Sequence, residues 1–110
     1  MEKPPITTHV LDLVRGQPAS GIKVHLYESV KMLARGVTNQ DGRVENWSED
    51  FSLVASKYRL AFDVGPWFSD RLEESFYEDV QISFRVADTG RHYHVPLLLS
   101  PFGYSTYRGS

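Results

Sequence analysis

The segment Val80–Val86 alternates throughout its length, with Val80, Ile82, Phe84 and Val86 on one parity and Gln81, Ser83 and Arg85 on the other. Successive side chains of a strand point to opposite faces, so a period of two describes a strand with one buried and one wet face. Asp88-Thr89-Gly90 then provides turn residues, and Arg91 to Leu99 runs on as a second extended segment. Tyr58, Leu60, Phe62 and Val64 alternate in the same way with Arg59, Ala61 and Asp63, and Ile22, Val24 and Leu26 with Lys23, His25 and Tyr27.

The remaining segments fit this pattern less cleanly. Ile6 to Val14 carries Thr7, His9, Leu11 and Leu13 on one face, and Ile6, Val10 and Val14 on the other with Thr8 and Asp12 between them. A sandwich strand buries one face within its own subunit, so a second apolar face points to a subunit interface. Gly16 to Gly21 is a turn by composition. Leu33 to Thr38 pairs back on the strand before it and ends at the turn Asn39-Gln40-Asp41-Gly42. Phe51 to Val54 is a weak strand candidate, and Phe102 to Arg108 is the last strand, set off by Pro101. Asp70 to Phe76 predicts a helix of about two turns, with Ser69 or Asp70 as N-cap. Pro96 lies inside an apolar run, where its missing N–H requires a bulge or one-sided pairing. Seven or eight short strands with one short helix define an all-β class, an antiparallel sandwich of two sheets. The 110 residues form a single domain, 1–110.

Composition narrows the function. Twelve Lys and Arg against 14 Asp and Glu give a net charge of -2 and no obvious material for a basic face, which argues against nucleic acid as a partner. With no cysteine there is no disulfide framework, no thiolate zinc site and no cysteine nucleophile. No apolar stretch approaches the roughly 20 residues of a membrane span, so no membrane partner is expected. The start, Met1-Glu2-Lys3-Pro4-Pro5, does not read as a signal peptide, and a cytoplasmic location is the expectation.

Four histidines and an aromatic C-terminus carry the candidate chemistry. His25 sits on the polar face of a half-buried strand and reads as a solvated side chain, and His92 as an accident of a polar strand start. His92 and His94 share a face, and His-x-His on a strand can supply two metal ligands. Nothing local supplies a third, so no metal is expected. His9 lies among leucines, where an unpaired imidazole costs free energy on burial. A histidine satisfied by a neighbouring carbonyl and a functional one remain equally open. By position alone Arg43 is an exposed turn arginine. The final eleven residues, Ser100 to Ser110, hold two tyrosines, Tyr104 and Tyr107, together with Phe102 and Arg108. Such side chains gain by lying on apolar surface, so the tail is expected to tuck into a site.

Four blocks in order, Thr8-His9-Val10-Leu11-Asp12 with Gly16-Gln17-Pro18-Ala19, Asp41-Gly42-Arg43, His92 to Pro101, and the terminal Tyr107-Arg108-Gly109-Ser110, resemble 5-hydroxyisourate hydrolase of the transthyretin-like family. The resemblance covers essentially the whole chain, and the ending is its most specific part. It implies a transthyretin-like two-sheet sandwich with a short helix, assembled as a homotetramer around a central channel. Transthyretin, a carrier, has lysine at His9, glutamate at Arg43 and threonine at His94, and lacks the Tyr-Arg-Gly-Ser ending. The implied activity is a cyclic amide hydrolase of urate degradation, converting 5-hydroxyisourate to 2-oxo-4-hydroxy-4-carboxy-5-ureidoimidazoline without a cofactor. By the same resemblance His9, Arg43, His94 and Ser110 are catalytic, and His9, Arg43 and Tyr107 bind substrate. His9 would be the base for water, Arg43 would stabilise the developing negative charge, and His94 would orient substrate or water. Tyr107 and Ser110 would close the pocket, and Arg108 would pair structurally with a carboxylate such as Asp12. A small-ligand carrier using the same channel and a plain interaction module are the competing readings.

Overall fold

The computed structural model describes residues 3–110, so Met1 and Glu2 of the stretch assessed for a signal peptide lie outside the described residues. Nine strands and one helix follow in order: β1 Ile6–Asp12, β2 Gln17–Pro18, β3 Lys23–Glu28, β4 Lys31–Val37, β5 Arg43–Val44, β6 Ser56–Phe62, α1 Val64–Asp70, β7 Val80–Val86, β8 Tyr93–Ser100 and β9 Gly103–Thr106. One sheet runs β2-β1-β8-β9, with β5 also on β1; the other runs β4-β3-β6-β7. Ile6, Val10, Leu97 and Leu99 of the first sheet meet Val24, Leu26, Tyr58, Leu60 and Phe62 of the second in one buried cluster. Full burial of each such side chain is worth about 1.5–3 kcal/mol, which makes this cluster the main support of the fold.

The two-sheet sandwich with one short helix matches the sequence expectation, with one difference in strand direction. β1 and β8 run parallel, from Ile6 opposite Tyr93 to Asp12 opposite Leu99, whereas the other strand pairs are antiparallel. β1 stops at Asp12 rather than Val14, because the Asp12 carboxylate accepts the Val14 N–H at 2.9 Å and the Arg15 N–H at 3.3 Å, turning the chain. Phe51 to Val54 is not a strand; Phe51 and Leu53 pack from a loop against the core.

The helix is displaced from its expected place. It covers Val64–Asp70, not Asp70–Phe76, and buries Val64, Gly65, Trp67 and Phe68. The Gly65-Pro66 pair reads as a breaker in sequence, yet proline in the first helical turn gives up an N–H that has no intrahelical partner anyway. The Trp67 indole donates to the Ser20 carbonyl at 2.8 Å and anchors the helix. Leu72 and Phe76, within the stretch expected to be helical, are 95% and 74% exposed, and Leu72 has left-handed backbone geometry at φ 58° that ends any helix there.

Pro96 is accommodated by one-sided pairing. The β8–β9 ladder ends at Leu97 opposite Thr106 and resumes beyond the strand as an isolated bridge between His94 and Gly109. Between them Pro96 has no N–H to donate, and the tail parts from β8 there. The charge is also less evenly spread than the composition implied. Lys23, His25, Arg35, Lys57, Arg59 and Arg85 share the outer face of the second sheet by register. Material for a basic face therefore exists, contrary to the expectation from net charge. No helix of the described residues is long and apolar enough to cross a membrane.

Candidate functional site

The site forms on the outward face of the first sheet. Parallel pairing sets Thr7 beside His94 and His9 beside Pro96, while β5 sets Arg43 on the other side of His9. Thr7, His9, Arg43 and His94 thereby share one face, opposite in parity to the buried Ile6, Thr8 and Val10.

A tight loop holds Arg43 in place. The Asn39 side-chain carbonyl accepts the N–H groups of Asp41 at 2.9 Å and Arg43 at 3.0 Å. Gly42 sits at φ +75° with its carbonyl accepting the Val10 N–H at 2.7 Å. A side chain at Gly42 would run into the Val10 carbonyl oxygen, so only glycine brings the loop this close to β1.

The tail completes the site. Past Pro96, the Gly109 N–H donates to the His94 carbonyl at 2.8 Å, closing the chain end over the His94 ring. Ser110, Arg43, His92, His94, Thr7, Thr8 and Lys3 then line a cleft of about 530 Å³, together with Pro4 and residues 44–46. Within it the Thr7 hydroxyl lies 2.9 Å from His92 Nε2 and 2.8 Å from His94 Nδ1.

All three imidazoles are held below their ordinary pKa. For His9 the main cause is burial and the next is the Arg43 charge, with the Asp41 backbone and carboxylate acting in the opposite direction. Burial also leads for His94, followed by the charges of Arg43, His9, His92 and Lys3. For His92, burial and then Lys3 lower it, against a hydrogen bond to the Pro4 backbone. The rings are therefore neutral at pH 7, able to accept a proton, beside a permanent guanidinium charge.

Of the residues expected from sequence, Arg43, His94 and Ser110 line the cleft, and His9 stands directly beside Arg43. Tyr107 does not join them within this chain; it is exposed and borders a separate apolar groove of about 270 Å³ with Ile82, Phe84 and Tyr93. Arg108 does not pair with Asp12. Its guanidinium lies 4.7 Å from the centroid of the Tyr93 ring, while the Asp12 carboxylate takes Arg15 at 3.2 Å. Thr7 and His92 were missed. Locally His92 reads as part of a polar strand start, and the signal that unites them, a register between segments 85 residues apart, is not readable from local sequence. Among the described residues, no three His, Asp or Glu side chains are grouped so that they could hold a metal ion.

A transthyretin-type sandwich bearing a cleft of neutral imidazoles and one arginine defines the class of this protein. Residues 6–109 match the HIUase/Transthyretin family, and the chain belongs to it. A 5-hydroxyisourate hydrolase of Rhizobium meliloti is 46% identical over 114 residues, covering 96% of this chain and 95% of the relative. A probable 5-hydroxyisourate hydrolase of Schizosaccharomyces pombe is 41% identical over 115 residues, covering 97% and 92%. Among solved structures, the Klebsiella pneumoniae 5-hydroxyisourate hydrolase has a TM-score of 0.86 at 41% identity, covering 96% of this chain and 98% of that one. Sea bream transthyretin in complex with thyroxine has a TM-score of 0.88 at 29% identity, covering 96% and 94%. Backbone similarity alone thus does not separate hydrolase from carrier, whereas sequence identity favours the hydrolases.

Proposed function

We propose that this cleft hydrolyses 5-hydroxyisourate to 2-oxo-4-hydroxy-4-carboxy-5-ureidoimidazoline, with His9 activating water as general base. The observation that carries the reading is the convergence of His9, Arg43, His94 and the chain end on one face of the first sheet. Water bonds to a ring lactam carbonyl carbon while its proton passes to an imidazole. The tetrahedral oxyanion then collapses with cleavage of the ring C–N bond, and the amide nitrogen takes a proton as the carboxylate forms. A neutral imidazole is the form this step needs, and burial together with Arg43 favours it. The Arg43 fork is suited to carbonyl oxygens and to the oxyanion that develops from them. His94 orients water or substrate, and the Ser110 end closes the cleft.

Assembly as a homotetramer belongs to the same proposal. Leu13, Phe102, Tyr104 and Tyr107 are exposed on the first sheet and its flanking turns, a set of large apolar groups suited to subunit contacts. Tyr107 would then contribute to substrate binding only in the assembled protein.

The test follows the ultraviolet decay of 5-hydroxyisourate freshly generated from urate, with wild-type protein and with His9→Asn. Rapid decay with wild type and a loss of roughly 10²-fold or more in the variant are expected for removal of a general base. Decay at the spontaneous rate with both proteins would overturn the hydrolase reading and favour a carrier. Normal turnover by His9→Asn would remove His9 as the base.

A further inference from the structure

Thr7 is 7% exposed and stands opposite His94 in the parallel register of β1 and β8. A valine there would fill the same space without needing a partner, whereas a buried hydroxyl costs free energy unless it is bonded. The partners are two imidazoles at once, His92 Nε2 at 2.9 Å and His94 Nδ1 at 2.8 Å. The two histidines are two residues apart in an extended run, which brings both rings to the same face.

A hydroxyl has one proton to give, and its oxygen also accepts. Two arrangements of the neutral rings use it fully. In one, Thr7 donates to His92 Nε2 and accepts from His94 Nδ1, so both rings carry their proton on Nδ1. In the other, Thr7 donates to His94 Nδ1 and accepts from His92 Nε2, so both carry it on Nε2. Mixed tautomers fail in either form. Two lone pairs facing Thr7 leave one ring unbonded. Two N–H groups facing it leave the hydroxyl proton without an acceptor, since the rings are its hydrogen-bond partners among the described residues. The tautomers are therefore tied together whichever way the bonds run.

We propose that Thr7 relays a proton between His94 and His92, so that the two rings act as one proton acceptor. A proton that reaches His94 Nε2 is matched by transfer of the Nδ1 proton to the Thr7 oxygen, while the Thr7 hydroxyl proton passes to His92 Nε2. His94 is then neutral with its proton on Nε2, Thr7 is again a hydroxyl, and His92 is the imidazolium. One proton has entered, and one positive charge has moved to His92. His92 is exposed and His94 only partly so, and water stabilises the charged ring better at the exposed position. The reverse transfer returns the proton to the cleft, where the amide nitrogen needs one as the ring opens. The tie between tautomers follows from the hydrogen bonds alone; the part it plays in turnover rests on the hydrolase reading.

Two-bond proton–nitrogen correlation spectra of 15N-labelled protein, taken where both rings are neutral, report which imidazole nitrogen carries the proton. In wild type the fraction protonated on Nδ1 should be the same for His92 and His94. Thr7→Val keeps the shape but removes both bonds, and the two fractions should part. Its turnover should fall roughly tenfold at nearly unchanged KM, short of the roughly 10²-fold or more expected for removing the base itself. Thr7→Ser should restore the equal fractions and most of the turnover. His92→Gln keeps a hydrogen-bonding group for Thr7 but holds no proton at neutral pH, so its turnover should fall as in Thr7→Val, which a merely supporting role would not cause. Should Thr7→Val fail to fold, His92→Gln decides in its place. Unequal fractions in wild type, or turnover at the wild-type level in Thr7→Val or in His92→Gln, overturn the proposal. Equal fractions in a protein without turnover would sink the hydrolase reading while leaving the tied tautomers intact.

Discussion

Replacing Gly109 by alanine tests whether the chain end and His94 form one unit. A methyl group at this position would lie 2.5 Å from His94 Cδ2, 3.2 Å from its Cγ and 3.3 Å from Pro96 Cγ, where ordinary contact begins at 3.4 Å. The backbone cannot simply slide away, because the Gly109 N–H is bonded to the His94 carbonyl at 2.8 Å. Pro96 is a closed ring inside a strand and yields little. Either the His94 ring retreats by about 1 Å or the tail lifts, and a misplacement of that size costs about 10²-fold in rate. On the barrier this is about 2.7 kcal/mol. The cost to stability should stay near 1 kcal/mol, about the low end for an inserted methyl group, because only one ring and the last residues of the chain have to adjust. Initial rates of 5-hydroxyisourate decay, read beside the thermal midpoint of the same sample, separate the two effects. Gly109→Ala with turnover within about twofold of wild type would refute the coupling, since a lost alignment must appear in kcat/KM.

Three other outcomes follow from the geometry. Arg43→Gln removes a charge that lowers both His9 and His94, so the acid limb of kcat/KM should move to higher pH, toward the ordinary histidine value of about 6.5; a rate loss with an unmoved limb would limit Arg43 to hydrogen bonding. Gly42→Ala forces a side chain into left-handed backbone against the Val10 carbonyl, and should cost at least about 1–2 kcal/mol, read as a lower midpoint in thermal unfolding; an unchanged midpoint would mean that the loop relaxes freely. The lowered histidines also make stability depend on pH. Below about pH 6.5 the unfolded chain binds protons that the folded chain resists, so their contribution is full above that pH and declines as pH falls through the folded values. Denaturant midpoints that do not fall between neutral and mildly acidic pH would contradict this.

Much of the fold was legible because period-two patterning survives wherever one face is wet. Val80–Val86 matches its expected strand to the residue, and the Tyr58 segment lies two residues earlier at each end, with Val64 opening the helix; the alternation is right because alternate positions meet core and solvent in turn. The helix lies earlier than expected because Gly65-Pro66 reads as a break, whereas Pro66 falls in the first helical turn, and Leu72 and Phe76 of the expected helix lie in water. Arg43, His94 and Ser110 are singled out through family resemblance rather than mechanics, for an arginine after a turn and a histidine near a strand start are unremarkable alone. Thr7 had no local signal. Its partners are 85 and 87 residues away, and only the strand register reveals them.

That register explains how one backbone can serve different chemistry. A one-residue slip of β1 against β8 would send Thr7 and His9 inward and bring Ile6 and Val10 out. The slip is opposed by the apolar face, because Ile6, Val10 and Leu97 are fully buried and each would forfeit its burial. The side chains that hold the sandwich together thus also fix which outward residues lie side by side, without touching the cleft. Neighbours with nearly equal TM-scores at 41% and 29% identity are consistent with this division. The inward parity preserves the frame, and the outward parity is free to carry His9, Arg43 and His94 or other residues in their place. The cleft therefore inherits its geometry from the core, whereas the proposed reactivity would rest on His9, Arg43 and His94 on the outward face.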